Sequence, residues 1–216
     1  MIARIVTPSQ KKKISRFMQI KSKRVENKYI FKPNYKYKVI NEILNRGYIE
    51  IFQERVIKSV YFDTKNLKCY SDSVEGNIPR KKIRVRSYDD FISDLTLEEK
   101  EVNTSGRFKK AKKISSVPYK IIDNGYGILY PVIEIIYKRK YFSNKLIRLT
   151  LDYEVEYKSL NSGIVAKSDS LILESKLSDN ILYNEEINNF KIFGLNNVSF
   201  SKYKEGINLS TFFTID

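Results

Sequence analysis

Four cations stand at every second position of one short stretch: Arg80, Lys82, Arg84 and Arg86, with Ile83 and Val85 among the residues between them. A strand sends alternate side chains to opposite faces, so this spacing lines one face with positive charge and the other with aliphatic groups. Arginine forks suit phosphate oxygens because they give bidentate, charge-assisted hydrogen bonds. Other strand-like stretches repeat the pattern. In 146–158 Arg148, Thr150, Asp152, Glu154, Glu156 and Lys158 oppose Ile147, Leu149, Leu151, Tyr153, Val155 and Tyr157. In 170–177 Glu174 and Lys176 oppose Leu171, Leu173 and Leu177. In 24–30 Arg24, Glu26 and Lys28 oppose Val25 and Tyr29, while Glu98 and Lys100 oppose Leu95 and Leu97, with Glu99 breaking the alternation.

An ordinary antiparallel sheet with one wet face accounts well for a single strand of this kind. It accounts less easily for polar faces made almost wholly of full charges. Like cations two residues apart repel unless anions lie between them. Curling the sheet until the charged faces converge lets Glu and Asp interleave with Arg and Lys. Helices would then cover the apolar outer face, and closure would remove the exposed edges. A lumen with an excess of cations binds a multiply charged anion. On pattern alone both arrangements, tunnel and solvated sheet, stay open.

The elements that would position these residues are mostly strands: 24–31, 57–63, 80–88, 94–102, 107–113, 131–142, 146–158 and 170–177. Residues 36–46 carry apolar positions at Val39, Ile40, Ile43 and Leu44, a helical spacing stopped by Gly47. Residues 64–79 read as a connection with a short helical turn, about 180–193 as a helix, and 198–203 as a last strand or turn. The fold class is therefore α+β, mainly antiparallel β, expected as a closed tunnel-like barrel with a charged interior and helices packed outside. A basic arm or short helix over 1–23 precedes a single domain over 24–216.

Composition narrows the chemistry. The chain has 216 residues, 42% of them hydrophobic, which suits one domain with a real core. There is no histidine, so histidine catalysis and histidine-ligated zinc are excluded. The lone cysteine, Cys69, rules out an internal disulfide framework and is read as a small buried hydrophobe in a reducing compartment. No apolar run approaches the ~20 residues that span a membrane. A cytoplasmic location is expected on these grounds. The net charge of +15 fits nucleic acid, an anionic membrane or a polyphosphate-bearing ligand equally well in sign. Tyr and Phe mostly alternate away from the charged faces. That suits packing and speaks against nucleic acid, whose readers usually expose aromatics on a basic face.

The stretches RVENKYIF (24–31), SVYFDT (59–64), RKKIRVRSY (80–88), LEEK (97–100), IEIIYKRKYF (133–142), RLTLDY (148–153), LILESK (171–176) and FSKY (200–203) resemble, in order, the motifs of the triphosphate tunnel metalloenzyme (CYTH-like) superfamily. The closer resemblance is to its VTC branch, the catalytic domain of the vacuolar transporter chaperone complex and its bacterial relatives. The hydrolytic branches open with E-x-E-x-K; here Arg24 takes the place of the first Glu, which favours the polymerase branch.

The resemblance implies a polyphosphate polymerase that moves the γ-phosphate of ATP onto an inorganic polyphosphate chain. A metal-dependent triphosphatase and a non-catalytic polyphosphate or nucleotide binder are the alternatives. Arg84, Arg86, Arg139, Arg148 and Lys202 are the catalytic candidates. Lys28, Arg80, Lys82, Lys100, Lys110, Tyr137, Lys176 and Ser201 are the phosphate-binding ones. Glu174 resembles the family's metal glutamate, with Glu26 and Glu98 as further candidates, and Mg²⁺ or Mn²⁺ suits such a carboxylate site. The inositol-phosphate-sensing SPX domain and the membrane segments of eukaryotic complexes have no counterpart, so a membrane channel would be a separate partner protein.

Overall fold

The computed structural model describes residues 20–21, 26–89, 93–144, 147–177 and 197–211. Strands are β1 (Ile20–Lys21), β2 (Glu26–Phe31), β3 (Ile49–Asp63), β4 (Arg80–Tyr88), β5 (Leu95–Asn103), β6 (Gly106–Ile114), β7 (Ile121–Asp123), β8 (Gly127–Ser143), β9 (Ile147–Ser159), β10 (Val165–Ser168) and β11 (Leu171–Leu177). Helices are α1 (Lys36–Asn45), α2 (Lys68–Glu75) and α3 (Lys202–Thr211). The helix expected over 180–193, most of the N-terminal arm expected over 1–23, and Arg24 at the start of the expected first strand lie outside the described residues.

All pairs are antiparallel, and the sheet runs β1-β6-β5-β4-β3-β8-β9-β11-β2, with β10 beside β9 and β7 beside β8. Hydrogen bonding does not close it: among the described residues no ladder joins the β1–β6 end to β2. Among the described residues the sheet is antiparallel and curled, as expected, without the hydrogen-bonded closure of a barrel. The short strands β1, β7 and β10 were not expected, and two larger elements differ from the sequence reading. β3 begins at Ile49 rather than 57, because its exposed first half borrows the long partner β8. Residues 202–211 form a helix where only a short strand or turn over 198–203 was expected.

The outer face is apolar, as the alternation implies. Helix α1 lays Val39 and Ile43, both fully buried, on Tyr29, Leu149, Leu151, Tyr153, Leu171 and Leu173. Burying two such side chains stabilises the fold by roughly 1.5–3 kcal/mol each. A second outer cluster joins Cys69 of α2 to Val60, Phe62, Ile83 and Val85. The start of α2 is fixed by Asp63, whose carboxylate accepts hydrogen bonds from the backbone N–H groups of Thr64, Cys69 and Tyr70. The N–H groups of Cys69 and Tyr70, in the helix's first turn, have no intrahelical partners, so the carboxylate supplies them. Burial, with Asp63 next to it, pushes the Cys69 thiol far up, so it is inert.

The inner face is interrupted by a bulge. Glu154 has φ 51°, and the register slips between Ile136↔Glu156 and Lys138↔Tyr153. One extra residue in β9 reverses the alternation. Asp152 therefore points inward, but Glu154, Glu156 and Lys158, expected on the same charged face, turn out to solvent. Val155 and Tyr157 go inward instead and pack with Ile133, Ile135, Tyr203 and Ile207. Helix α3 plugs this end of the curled sheet. Its Gly206 is required by close approach: a Cβ there would meet Tyr157 Cδ1 at 2.5 Å and Ile133 Cδ1 at 2.6 Å.

Candidate functional site

Beyond the plug the concave face encloses a cavity of about 270 Å³. Its lining comes from every part of the sheet. Arg80, Lys82, Arg84 and Arg86 enter from β4, Glu98 and Lys100 from β5, Tyr137 and Arg139 from β8. Glu174 and Lys176 come from β11, Glu26 and Lys28 from β2, and Ser201 and Lys202 from the start of α3. Residues more than 170 positions apart in sequence thus face one space. The cations outnumber the carboxylates heavily, which makes the cavity a receptor for a polyanion.

The arginines are held in fixed orientations. Arg84 donates from Nε and Nη2 to Glu98 Oε2 at 2.7 and 2.6 Å, and from Nη1 to the Tyr61 hydroxyl at 2.7 Å. Tyr61 in turn stacks on Tyr203 of the plug, with ring centroids 4.9 Å apart. Arg86, 8% exposed, donates to Ser59 Oγ at 3.3 Å and to the Tyr137 hydroxyl at 3.2 Å. Arg139 makes a bidentate pair with the fully buried Asp152, with Nη2 2.7 Å from Oδ2, and Lys202 joins the same carboxylate. Burial opposes the charge of Asp152, but Arg139 and Lys202 override it and hold its carboxyl well below the usual range.

Three of the lining lysines, Lys28, Lys82 and Lys100, are crowded by other cations rather than paired with an acid. Lys28 donates to the Phe200 carbonyl at 2.8 Å, and Lys82 to Ser201 Oγ at 3.2 Å. Lys100 reaches the open space, and among the described residues its ammonium has no hydrogen bond or ion pair. Enclosure in the cavity, with Arg84 beside it, pushes Lys100 down to about 7. Burial, with Lys28, Lys204 and Arg80 nearby, pushes Lys82 down to about 8. Both shifts express one fact: positive charge here is uncomfortable until an anion arrives.

The carboxylates divide into two kinds. Glu98 is fully engaged, since its other oxygen takes Lys109 at 2.6 Å and Arg86 lies at 3.9 Å. Burial works against its charge, yet Arg84, Arg86 and Lys109 hold its carboxyl far below the usual range. Both of its oxygens are thus already engaged by cations, which it holds in place. Glu174, 7% exposed, is different: Lys176 Nζ lies 2.8 Å from its Oε1, but no hydrogen bond of good geometry reaches that atom. Directly opposite in the β9–β11 ladder, the buried Thr150 Oγ1 also has no hydrogen-bond partner. Glu26 sits on the far side of Lys176, at 3.6 Å. Buried oxygens without partners are rare and mark a place for a ligand or an ion.

Two expected residues are not brought in. Arg148 is exposed at the end of β9, opposite Lys176 in the ladder and 5.7 Å from the Tyr141 ring, outside the cavity lining. Lys110 faces the opposite side of the sheet, 3.6 Å from Glu99. Arg107 takes the place in the lining that Lys110 was expected to fill. The signal was available: a two-residue turn at Thr104–Ser105 pairs even residues of β5 with odd residues of β6, so Lys100 stands beside Lys109 and Val102 beside Arg107. Tyr61 and Phe200 were also missed, and with Tyr137 they show that aromatic rings do enter the charged face.

Comparison with known proteins agrees with this geometry. The family described as VTC domain matches residues 23–123. A structure from Vibrio parahaemolyticus, provisionally described as an adenylate cyclase, superposes with a TM-score of 0.52 at 14% identity, covering 86% of this chain and 97% of that one. A protein from Pyrococcus horikoshii superposes with a TM-score of 0.50 at 12% identity, covering 84% of this chain and 97% of that one. No curated protein sequence matches the chain.

Proposed function

We propose that this chain is a polyphosphate polymerase that transfers the γ-phosphate of ATP to an inorganic polyphosphate chain, a reading supported by the match of the VTC domain family to residues 23–123 and by the cationic concave face of the sheet. The observation that carries the reading is the shared cavity, in which Arg84, Arg86, Arg139, Lys28, Lys82, Lys100 and Lys202 converge on one space too polar for an apolar ligand.

Phosphoryl transfer needs charge neutralisation and in-line positioning, and little covalent help from the protein. Arg84, Arg86 and Arg139 supply rigid forks, each already oriented by a buried partner, so they need no reorganisation as charge develops. Lys28, Lys82, Lys100 and Lys202 supply point charges along the chain path, and Ser201 a hydroxyl at its end. The acceptor is a phosphate oxygen, already anionic, so no protein nucleophile is needed. The tunnel fold implies a divalent cation, and the residues fit one: Glu174 and Thr150 present buried oxygens without hydrogen-bond partners, and Glu26 stands close by. Mg²⁺ or Mn²⁺ held there would neutralise charge on the phosphate oxygens.

Incubation with ATP and Mn²⁺, followed by gel analysis for polymer and an assay for free phosphate, tests the proposal. Polymer with ADP as co-product supports it. Stoichiometric free phosphate without polymer assigns the same cavity to a triphosphatase. Tight tripolyphosphate binding without turnover assigns it to a binding module.

A further inference from the structure

The Lys176 ammonium lies between two carboxylates, 2.8 Å from Glu174 and 3.6 Å from Glu26. These are the groups best placed to hold a divalent cation. A lysine there does what a metal would do: it neutralises two acids that would otherwise repel each other and any incoming phosphate. The fit is imperfect: Glu174 Oε1, the oxygen that faces the ammonium at 2.8 Å, receives no hydrogen bond of good geometry, and the Thr150 hydroxyl opposite has no hydrogen-bond partner, although an ammonium has three donors. The Lys176 side chain is also one-third exposed, on a flexible four-carbon stem, so it has somewhere to go. Arg148 stands opposite it in the ladder and repels it from behind.

We propose that Lys176 is the resident counter-ion of the Glu174–Glu26 pair, and that it vacates the position when a divalent cation enters and turns its charge toward the phosphate chain. The pair then never stands uncompensated, and metal loading delivers one more cation to the substrate path. This deepens the metal reading above but is independent of which phosphoryl acceptor the protein uses.

The test is Mn²⁺ binding to the full chain without any phosphate ligand, followed by electron paramagnetic resonance of the free ion. Lys176→Met keeps the stem and removes the competing charge. It should tighten Mn²⁺ binding by about tenfold or more, because charges a few ångström apart interact strongly in a protein cavity. Glu174→Gln should abolish the gain when combined with it. Lys176→Gln should behave like the Met variant and covers the case in which Met packs badly. Unchanged Mn²⁺ affinity in both Lys176 variants overturns the proposal. So does a gain that survives Glu174→Gln, since the ion would then sit elsewhere. Neither readout depends on turnover, so loss of the polymerase assignment would leave the result interpretable.

Discussion

At one end of the concave face, Arg84, Arg86, Arg139 and six lysines surround open space. At the other end the same face is filled solid by Ile133, Ile135, Val155, Tyr157, Tyr203 and Ile207. One curled sheet thus builds a receptor and a core side by side. Like charges keep the first from collapsing, because no arrangement of side chains alone can satisfy them. Apolar groups draw the second shut. The boundary is crossed by Tyr61, which stacks its ring on the plug while its hydroxyl accepts from Arg84, and by Lys202, which begins the plug helix and reaches Asp152 in the charged half. The plug is therefore also the floor that orients the cations.

Changes in the charged half should cost activity and spare the fold. The largest effect is expected from Arg84→Ala. It should lower the rate by about two to three orders of magnitude, roughly 3–4 kcal/mol if the fork stabilises developing charge. The melting temperature should hardly move, since Glu98 keeps Lys109 at 2.6 Å and Arg86 at 3.9 Å. A large loss of stability with little loss of rate would erase the division between the halves. Glu174→Ala belongs to the same group: turnover should vanish with the fold intact, and undiminished metal-dependent activity would remove Glu174 from the site.

The plug should behave the other way. Ile207→Ala removes a buried aliphatic group and should destabilise the protein by about 2–4 kcal/mol. Substrate affinity should stay near that of the parent at temperatures where the variant is folded. A selective loss of tripolyphosphate binding at full stability would show that the plug belongs to the receptor.

The smallest effect is on pH. Lys82 and Lys100 are pushed down to about 8 and about 7 in the fold, below the ordinary lysine range. Above those values the unfolded chain binds more protons than the folded one, so stability should rise with pH from about 7 toward the ordinary lysine range. Ligand binding restores the charges, so tripolyphosphate should bind with proton uptake near pH 8. Calorimetry in buffers of different ionisation enthalpy reads that uptake directly. Binding without proton uptake would mean that the lysines are already charged in the empty cavity.

Much of the charged half was legible in the sequence. Period-two alternation on β4, β11 and the first part of β9 placed Arg80 to Arg86, Glu174 and Asp152 on the inner face correctly, because a strand has only two faces. The apolar outer face and its cover, α1, followed from the same rule and from the helical spacing of Val39 and Ile43. The plug was not legible. Residues 202–211 carry a weak helical pattern, since Tyr203 and Ile207 are buried by the sheet around them rather than by a neighbouring stretch of sequence. The bulge at Glu154 is a single-residue backbone event that reverses the alternation, and no side chain there announces it. Nor does the charge of a residue say whether it will be spent on the protein or left for a ligand. Glu98 and Glu174 have the same chemistry and the same strand period. Only the neighbours supplied by tertiary folding, three cations around Glu98 but one lysine beside Glu174, tell the two carboxylates apart.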